Sequence, residues 1–200
     1  MALYEKIAEE EYSKELLESW ENLQKLIDKI EPLFTKLLRK SISKSTDISK
    51  VKYYTQRKTL TSTIEKFKRK GRSIDTFSDL LRGVIIVSSK VDLRDLVDGL
   101  KYYFDIVKID EKYPTEDKPY GNAIHVDVLC DGMVCEIQIM SRQLYTYKQL
   151  ADKIYKSDLS PEAKRKLQKK WFDRAIFMEE NVKKAYLLCE LFYKRASSVI

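Results

Sequence analysis

Residues 122–140 read NAIHVDVLCDGMVCEIQIM, the most legible segment of the chain. Asp131-Gly132 sits between two runs of alternating apolar and polar residues, the pattern of a β-hairpin closed by a two-residue turn. Such a loop fixes the pairing: Cys130 faces Met133, Val128 faces Cys135, Asp127 faces Glu136, Val126 faces Ile137, and His125 faces Gln138. Side chains alternate across a strand, so Ile124, Val126, Val128, Cys135, Ile137 and Ile139 share one face. That face is apolar and must be core. The opposite face gathers His125, Asp127, Glu136 and Gln138.

Upstream, Val84–Val87 is a short β-branched run suited to a buried strand. Asp92–Tyr102 reads as a helix and Tyr103–Ile109 as a further strand. Residues 50–70 read as helical, with Val51–Thr55 open to an extended conformation, and Gly71 follows Lys66, Lys68, Arg69 and Lys70 as a helix stop. Residues 2–43 read as two helices. Leu16, Leu17, Trp20, Leu23, Leu26, Ile27 and Ile30 form one stripe, and Pro32 opens a second helix. Downstream of residue 141 the pattern is helical; Ser160-Pro161-Glu162 is a helix opening, and Trp171 to Leu191 keeps helical spacing. The expected fold is α+β: a small mixed or antiparallel sheet with the hairpin at about 122–140, packed by helices. We read one domain, with an N-terminal helical flank at 1–49, a core at 50–156 and a C-terminal helical flank at 157–200.

The 200 residues are 44% hydrophobic and 34% charged, which is globular rather than disordered. No apolar run reaches the length of a membrane span, and the first residues lack the shape of a signal peptide, so a soluble, cytoplasmic protein is expected. Three cysteines without framework spacing argue against a disulfide scaffold, and a single histidine leaves a zinc site short of ligands. Net charge is +7, unevenly spread: residues 36–70 carry twelve Lys or Arg against one Asp and one Glu, and residues 148–174 carry nine against four. Such asymmetry suits a polyanionic partner, a nucleotide phosphate or a nucleic acid, or else a set of solvated helix faces.

Two constellations could carry chemistry. Asp127 and Glu136 lie directly opposite each other on the hairpin's polar face, where like charges cost a fraction of a kcal/mol. A divalent cation would compensate, with Asp79 supplying another carboxylate; a polar face open to solvent is the alternative. Lys58, Ser62 and Lys66 follow at four-residue steps, which puts all three on one helix face, a point-charge and hydroxyl set for phosphate oxygens or an exposed basic face. There is no Walker A loop, no G-x-G-x-x-G and no nucleophilic triad. Phosphoryl-type chemistry with a positioned metal is the class these residues best supply.

From about residue 50 to 156 the chain resembles the synthetase domain of RelA/SpoT-type nucleotidyltransferases. EIQI at Glu136–Ile139 resembles that family's E-[IV]-Q-I strand, and KPYGNAIHVDV resembles its K-P-x-G-Y-x-x-x-H segment. FSDLLRGVIIV resembles its acidic residue before a buried strand. Lys58, Ser62 and Lys66 match its K-x-x-x-S-x-x-x-K segment, and Ala151–Tyr155 its A/G-H-x-[IL]-Y helix. The resemblance implies a pyrophosphokinase moving pyrophosphate from ATP to the 3′-hydroxyl of GDP or GTP, with the tRNA 3′ end as an alternative acceptor. A catalytically silent nucleotide- or RNA-binding module is a further alternative. It implies Mg²⁺ on Asp79 and Glu136, with Asp127 a further candidate, and Glu136 drawing the proton from the attacking hydroxyl. It implies ATP phosphates on Lys58, Ser62 and Lys66 with Arg57 beside them, the acceptor base on Tyr120, and His125 and Gln138 near the acceptor. Gln56 and Val84 stand where the pattern carries Arg; Met140 and Asp152 replace a frequent Arg and a His. The expected form is a short stand-alone enzyme, with a homo-oligomer or a neutralising protein as candidate partners.

Overall fold

The structure, a computed structural model, describes residues 14–71, 73–88, 93–112 and 123–142, then 144–146, 148, 149, 159, 160, 162–164, 166, 167 and 170. The N-terminal helix α1 is one continuous element, Lys14–Ser45, with Pro32 inside it. The expected break at Pro32 does not occur. A proline in a helix interior costs about 3 kcal/mol, because it removes a backbone hydrogen bond and crowds the preceding turn. Ile27, Ile30, Phe34, Leu38 and Ile42 continue the apolar stripe in phase across Pro32, each fully buried. Burying such side chains contributes about 1.5–3 kcal/mol apiece, which outweighs the proline.

Strand β1 (Val51–Arg57) replaces the start of the helix expected over 50–70. Its β-branched and aromatic residues pair antiparallel with β2 (Leu81–Val87), from Val51 opposite Val87 to Arg57 opposite Leu81. The helix begins after it: α2 is Leu60–Lys70, with Thr59 accepting from the Ser62 N–H at 3.3 Å as its cap. Gly71 ends it in the left-handed region, φ 60°. Helix α3 (Leu93–Lys101) leads to β3 (Asp105–Lys112), then β4 (Ala123–Cys130) and β5 (Met133–Ser141).

The five strands run in the order β1-β2-β5-β4-β3, and only β2 and β5 are parallel. The hairpin pairs as the two-residue turn dictates, Cys130 with Met133 through His125 with Gln138. Asp131 and Gly132 both take positive φ, 47° and 80°, the conformation that closes a tight hairpin with the twist of its strands. The apolar face carries Ile124, Val126, Val128, Cys135, Ile137 and Ile139, all buried in one core with the α1 stripe and with Leu96 and Leu100 of α3. Helix α3 crosses α1 closely at Gly99, where a Cβ would lie 1.9 Å from Ser45 Oγ.

The second part of the chain is described sparsely. Ser160 Oγ accepts from the Ala163 N–H at 3.3 Å, the cap expected there. The aromatic stretch from Trp171 onward, the Asp152 segment and residues 1–13 lie outside the described residues. No helix among the described residues is long and apolar enough to cross a membrane.

Candidate active site

The face of the sheet turned away from α1 is ordered in rows by strand register. One row across the sheet is Gln56, Arg82, Glu136, Asp127 and Lys108. The next is Tyr54, Val84, Gln138, His125 and Asp110, and the third is Lys52, Ile86, Met140 and Ala123. Charge therefore concentrates at one end of the face, and the centre of the other end is apolar. Val84, Ile86, Ala123 and Met140 form a small buried cluster there with Tyr54 and Tyr145.

At the charged end, Glu136 is 9% exposed and each of its oxygens is engaged. Its Oε2 accepts from Arg82 Nε at 2.5 Å and from Gln138 Nε2 at 2.8 Å. Its Oε1 lies 2.8 Å from His125 Nδ1. Burial pushes the carboxyl upward, but the hydrogen bond from His125 and the charge of Arg82 outweigh it and hold Glu136 well below the usual range. An ionised carboxylate only accepts, so His125 carries its hydrogen on Nδ1.

Asp79 reaches the same place from a different element. It lies in a 3-10 turn, Ser78–Leu80, directly before β2, and the Lys58 N–H binds Leu80 O at 2.9 Å. That bond draws the β1–α2 junction against the turn. Asp79 then accepts from Lys66 Nζ at 2.6 Å, Lys58 Nζ at 3.0 Å and Arg82 Nη2 at 3.5 Å. Burial raises its pKa, but the two lysines outweigh this and the net shift is downward. Arg82 thus bridges the two carboxylates with one guanidinium. Lys66 also lies over the Phe77 ring, 4.4 Å from its centroid.

Beside this pair a cavity of about 700 Å³ is lined by Gln56, Arg57, Lys58, Thr59, Ser62, Glu65, Lys66, Arg69, Asp79 and Arg82. Five cationic side chains against two carboxylates make it a site for an anion, and its size accommodates a nucleotide.

The structure brings together Lys58, Lys66 and Asp79, and it brings together Glu136, His125 and Gln138. Ser62 lines the same cavity from α2, its hydroxyl accepting from Thr59 Oγ1 at 3.0 Å. Lys58 is not on the helix; it sits at the strand–helix junction, held in line with Ser62 and Lys66 by the cap. Arg57 borders the cavity, but its guanidinium is held by Asp28 and Glu31 of α1. Asp127 shares the face with Glu136, but no three His, Cys, Asp or Glu groups among the described residues gather to hold a metal. A three-carboxylate site including Asp127 is therefore not formed. Tyr120 lies outside the described residues.

Arg82 was not expected to take the place of the missing Arg at Val84, and Tyr54, Tyr145 and Lys148 were not singled out in the sequence. Strand alternation puts Arg82 on the face of Val84, opposite to Leu81 and Gly83, and the parallel register of β2 with β5 then sets it beside Glu136. Arg82 places a guanidinium on the face that Val84 also occupies, one step earlier along the strand. Gly83 turns to the other side, where a Cβ would lie 3.1 Å from Leu38 and 3.3 Å from Phe34.

No protein-family model and no curated protein sequence matches the chain. Solved structures do match. The small alarmone synthetase 1 from Bacillus subtilis, bound to its product pppGpp, is 20% identical with a TM-score of 0.67, covering 86% of this chain and 99% of that one. A GTP pyrophosphokinase family protein from Streptococcus pneumoniae is 20% identical with a TM-score of 0.64, covering 84% and 96%. The Bacillus subtilis enzyme bound to AMPCPP is 17% identical with a TM-score of 0.56, covering 95% and 99%. The chain has the fold of the RelA/SpoT-type small alarmone synthetases.

Proposed function

We propose that the protein is a pyrophosphokinase that transfers the β,γ-pyrophosphoryl group of ATP to the 3′-hydroxyl of a guanosine nucleotide. The observation that carries this reading is the pairing of Asp79 and Glu136 through Arg82 at the edge of a cation-lined cavity. The similarity in fold to synthetases whose structures hold pppGpp or AMPCPP supports it. In this reading Lys58, Ser62 and Lys66 bind the triphosphate. Charge delocalised over transferring phosphoryl oxygens meets fixed cations in a partly buried site, where their stabilisation is strongest.

Two carboxylates fit a magnesium ion, which typically takes one or two protein carboxylates and completes its shell with water and substrate phosphates. Asp79 and Glu136 would hold it, and it would supply neutralisation of the developing phosphate charge. Lys58 and Lys66 now cover Asp79 and Arg82 reaches Glu136, and these are the groups an incoming triphosphate would draw away, while His125 and Gln138 keep their bonds to Glu136. Glu136 then accepts the hydrogen of the 3′-hydroxyl. The 3′-oxygen forms its bond to the β-phosphorus, the bond from that phosphorus to the α,β-bridging oxygen breaks, and AMP leaves with that oxygen. Because Glu136 is a weak base, proton transfer accompanies formation of the oxygen–phosphorus bond rather than preceding it.

A second acceptor, the 3′ end of tRNA, is favoured by the exposed last turn of α2, Lys68, Arg69 and Lys70. Offering GDP, GTP and tRNA with γ-labelled ATP separates the readings. Label on GDP or GTP, absent with Glu136→Ala, supports the proposal. Label on tRNA alone moves the acceptor to RNA. No transfer to any of these acceptors by folded, nucleotide-binding protein makes the chain a binding module.

A further inference from the structure

The segment after β5 folds back over the active face at two points. Ser141 Oγ accepts from the Leu144 N–H at 3.4 Å, and residues 144–146, 148 and 149 are helical. From this turn the Tyr145 hydroxyl accepts from the Tyr54 hydroxyl at 3.2 Å, a clasp reaching from the turn to strand β1. Three residues further on, Lys148 Nζ donates to Gln138 Oε1 at 2.5 Å. Gln138 is 3% exposed and its Nε2 donates to Glu136 Oε2 at 2.8 Å. A continuous line therefore runs from an ammonium through a buried amide to the carboxylate.

The chemistry of the two ends fixes the amide. Lysine has only donors and an ionised carboxylate has only acceptors. With Oε1 toward Lys148 and Nε2 toward Glu136 both contacts are favourable; with the amide turned over, both are repulsive. Glu136 alone would constrain one end. Lys148 supplies the other and satisfies a buried carbonyl that would otherwise lack this partner. The Tyr54–Tyr145 clasp holds the turn that delivers it.

We propose that Lys148 is a positioning residue for Glu136, acting through the side-chain amide of Gln138. It fixes the carboxylate's orientation and touches no reacting atom. The catalytic consequence rests on the reading of Glu136 as the acceptor of the 3′-hydroxyl hydrogen; the amide orientation does not. In Lys148→Met, kcat falls on the order of ten- to a hundred-fold while KM for ATP and for the nucleotide acceptor stays nearly constant, as for a misaligned reacting group. Lys148→Arg restores most of the rate, and Lys148→Glu, which offers an acceptor to Oε1, loses more than Lys148→Met.

The decisive test is a double-mutant cycle with Gln138→Met, read alongside the side-chain amide resonances of Gln138 in ¹⁵N-glutamine-labelled full-length protein. Lys148→Met should move the Gln138 resonances in a protein with an unchanged circular-dichroism spectrum, and should cost nothing further in kcat once Gln138 is replaced. Resonances that stay put, or rate losses that simply multiply, would overturn the proposal. Shifted resonances in a protein that transfers nothing would uphold the amide coupling and remove the pyrophosphokinase reading instead. If Lys148→Met does not fold, the same measurements on Lys148→Leu and Lys148→Gln decide the matter.

Discussion

The carboxylates at the centre of the site are costly to bury and are retained by their partners. Asp79 and Glu136 both have folded pKa values below their ordinary 3.8 and 4.5. A depressed folded pKa contributes stability that is fully present above the unfolded value and is lost as pH falls through the folded one. Unfolding free energy should therefore hold steady down to about pH 5 and decline on further acidification. Glu136→Gln should flatten that decline, measured by urea melts from pH 7 to pH 3; an equally steep decline in the variant contradicts the ion-pair account. Glu136→Ala should lower transfer by about a thousandfold or more, since it removes a group acting in the transition state. The buried thiols belong to packing rather than chemistry: burial and the neighbouring Cys130 push Cys135 up to about 12, so it stays protonated. At this scale the sequence was informative about Glu136, Asp79 and the lysines through residue type and spacing. Arg82 was hidden because its role depends on where β2 begins, and Lys148 because its partner is fixed only by the turn after β5.

At the scale of the element, the hairpin was legible because a two-residue Asp-Gly turn leaves one register. The unbroken course of helix α1 was not, and strand β1 was legible only as an extended option at Val51–Thr55, because tertiary packing decided both. The α1 stripe buries enough apolar area to run a helix through Pro32, and in β1 pairing with β2 settles a segment whose β-branched and aromatic residues also suit a strand. Replacing Pro32, which is exposed, with Ala should stabilise the protein by about 1–3 kcal/mol, seen as a higher urea midpoint with unchanged slope. A loss of stability would mean that the proline is required where it stands. Gly99→Ala should act in the opposite sense. Its Cβ would meet Ser45 Oγ at 1.9 Å and the Ser41 carbonyl oxygen at 2.6 Å, so α3 must shift off α1 at about 1–3 kcal/mol. A neutral Gly99→Ala would contradict the close helix crossing.

At the scale of the whole molecule, one sheet separates two tasks. Its α1 face is a continuous apolar core, and its other face grades from charged to apolar by strand register. The strand order places β2 beside β5, so residues 54 positions apart in sequence, Arg82 and Glu136, become lateral neighbours. No local pattern announces such a pairing, whereas the charge excess of residues 36–70 was visible at once and is concentrated in part around the cavity. Nucleotide binding there should weaken as salt rises, because the cations lining the cavity are only partly buried and remain open to screening. The decisive measurement is product analysis after incubating the protein with ATP, GDP or GTP, and Mg²⁺. A pyrophosphokinase should give AMP and 3′-pyrophosphorylated nucleotide in equal amounts, both absent with Glu136→Ala. Release of ADP in place of AMP, or equal turnover by Glu136→Ala, would contradict this reading.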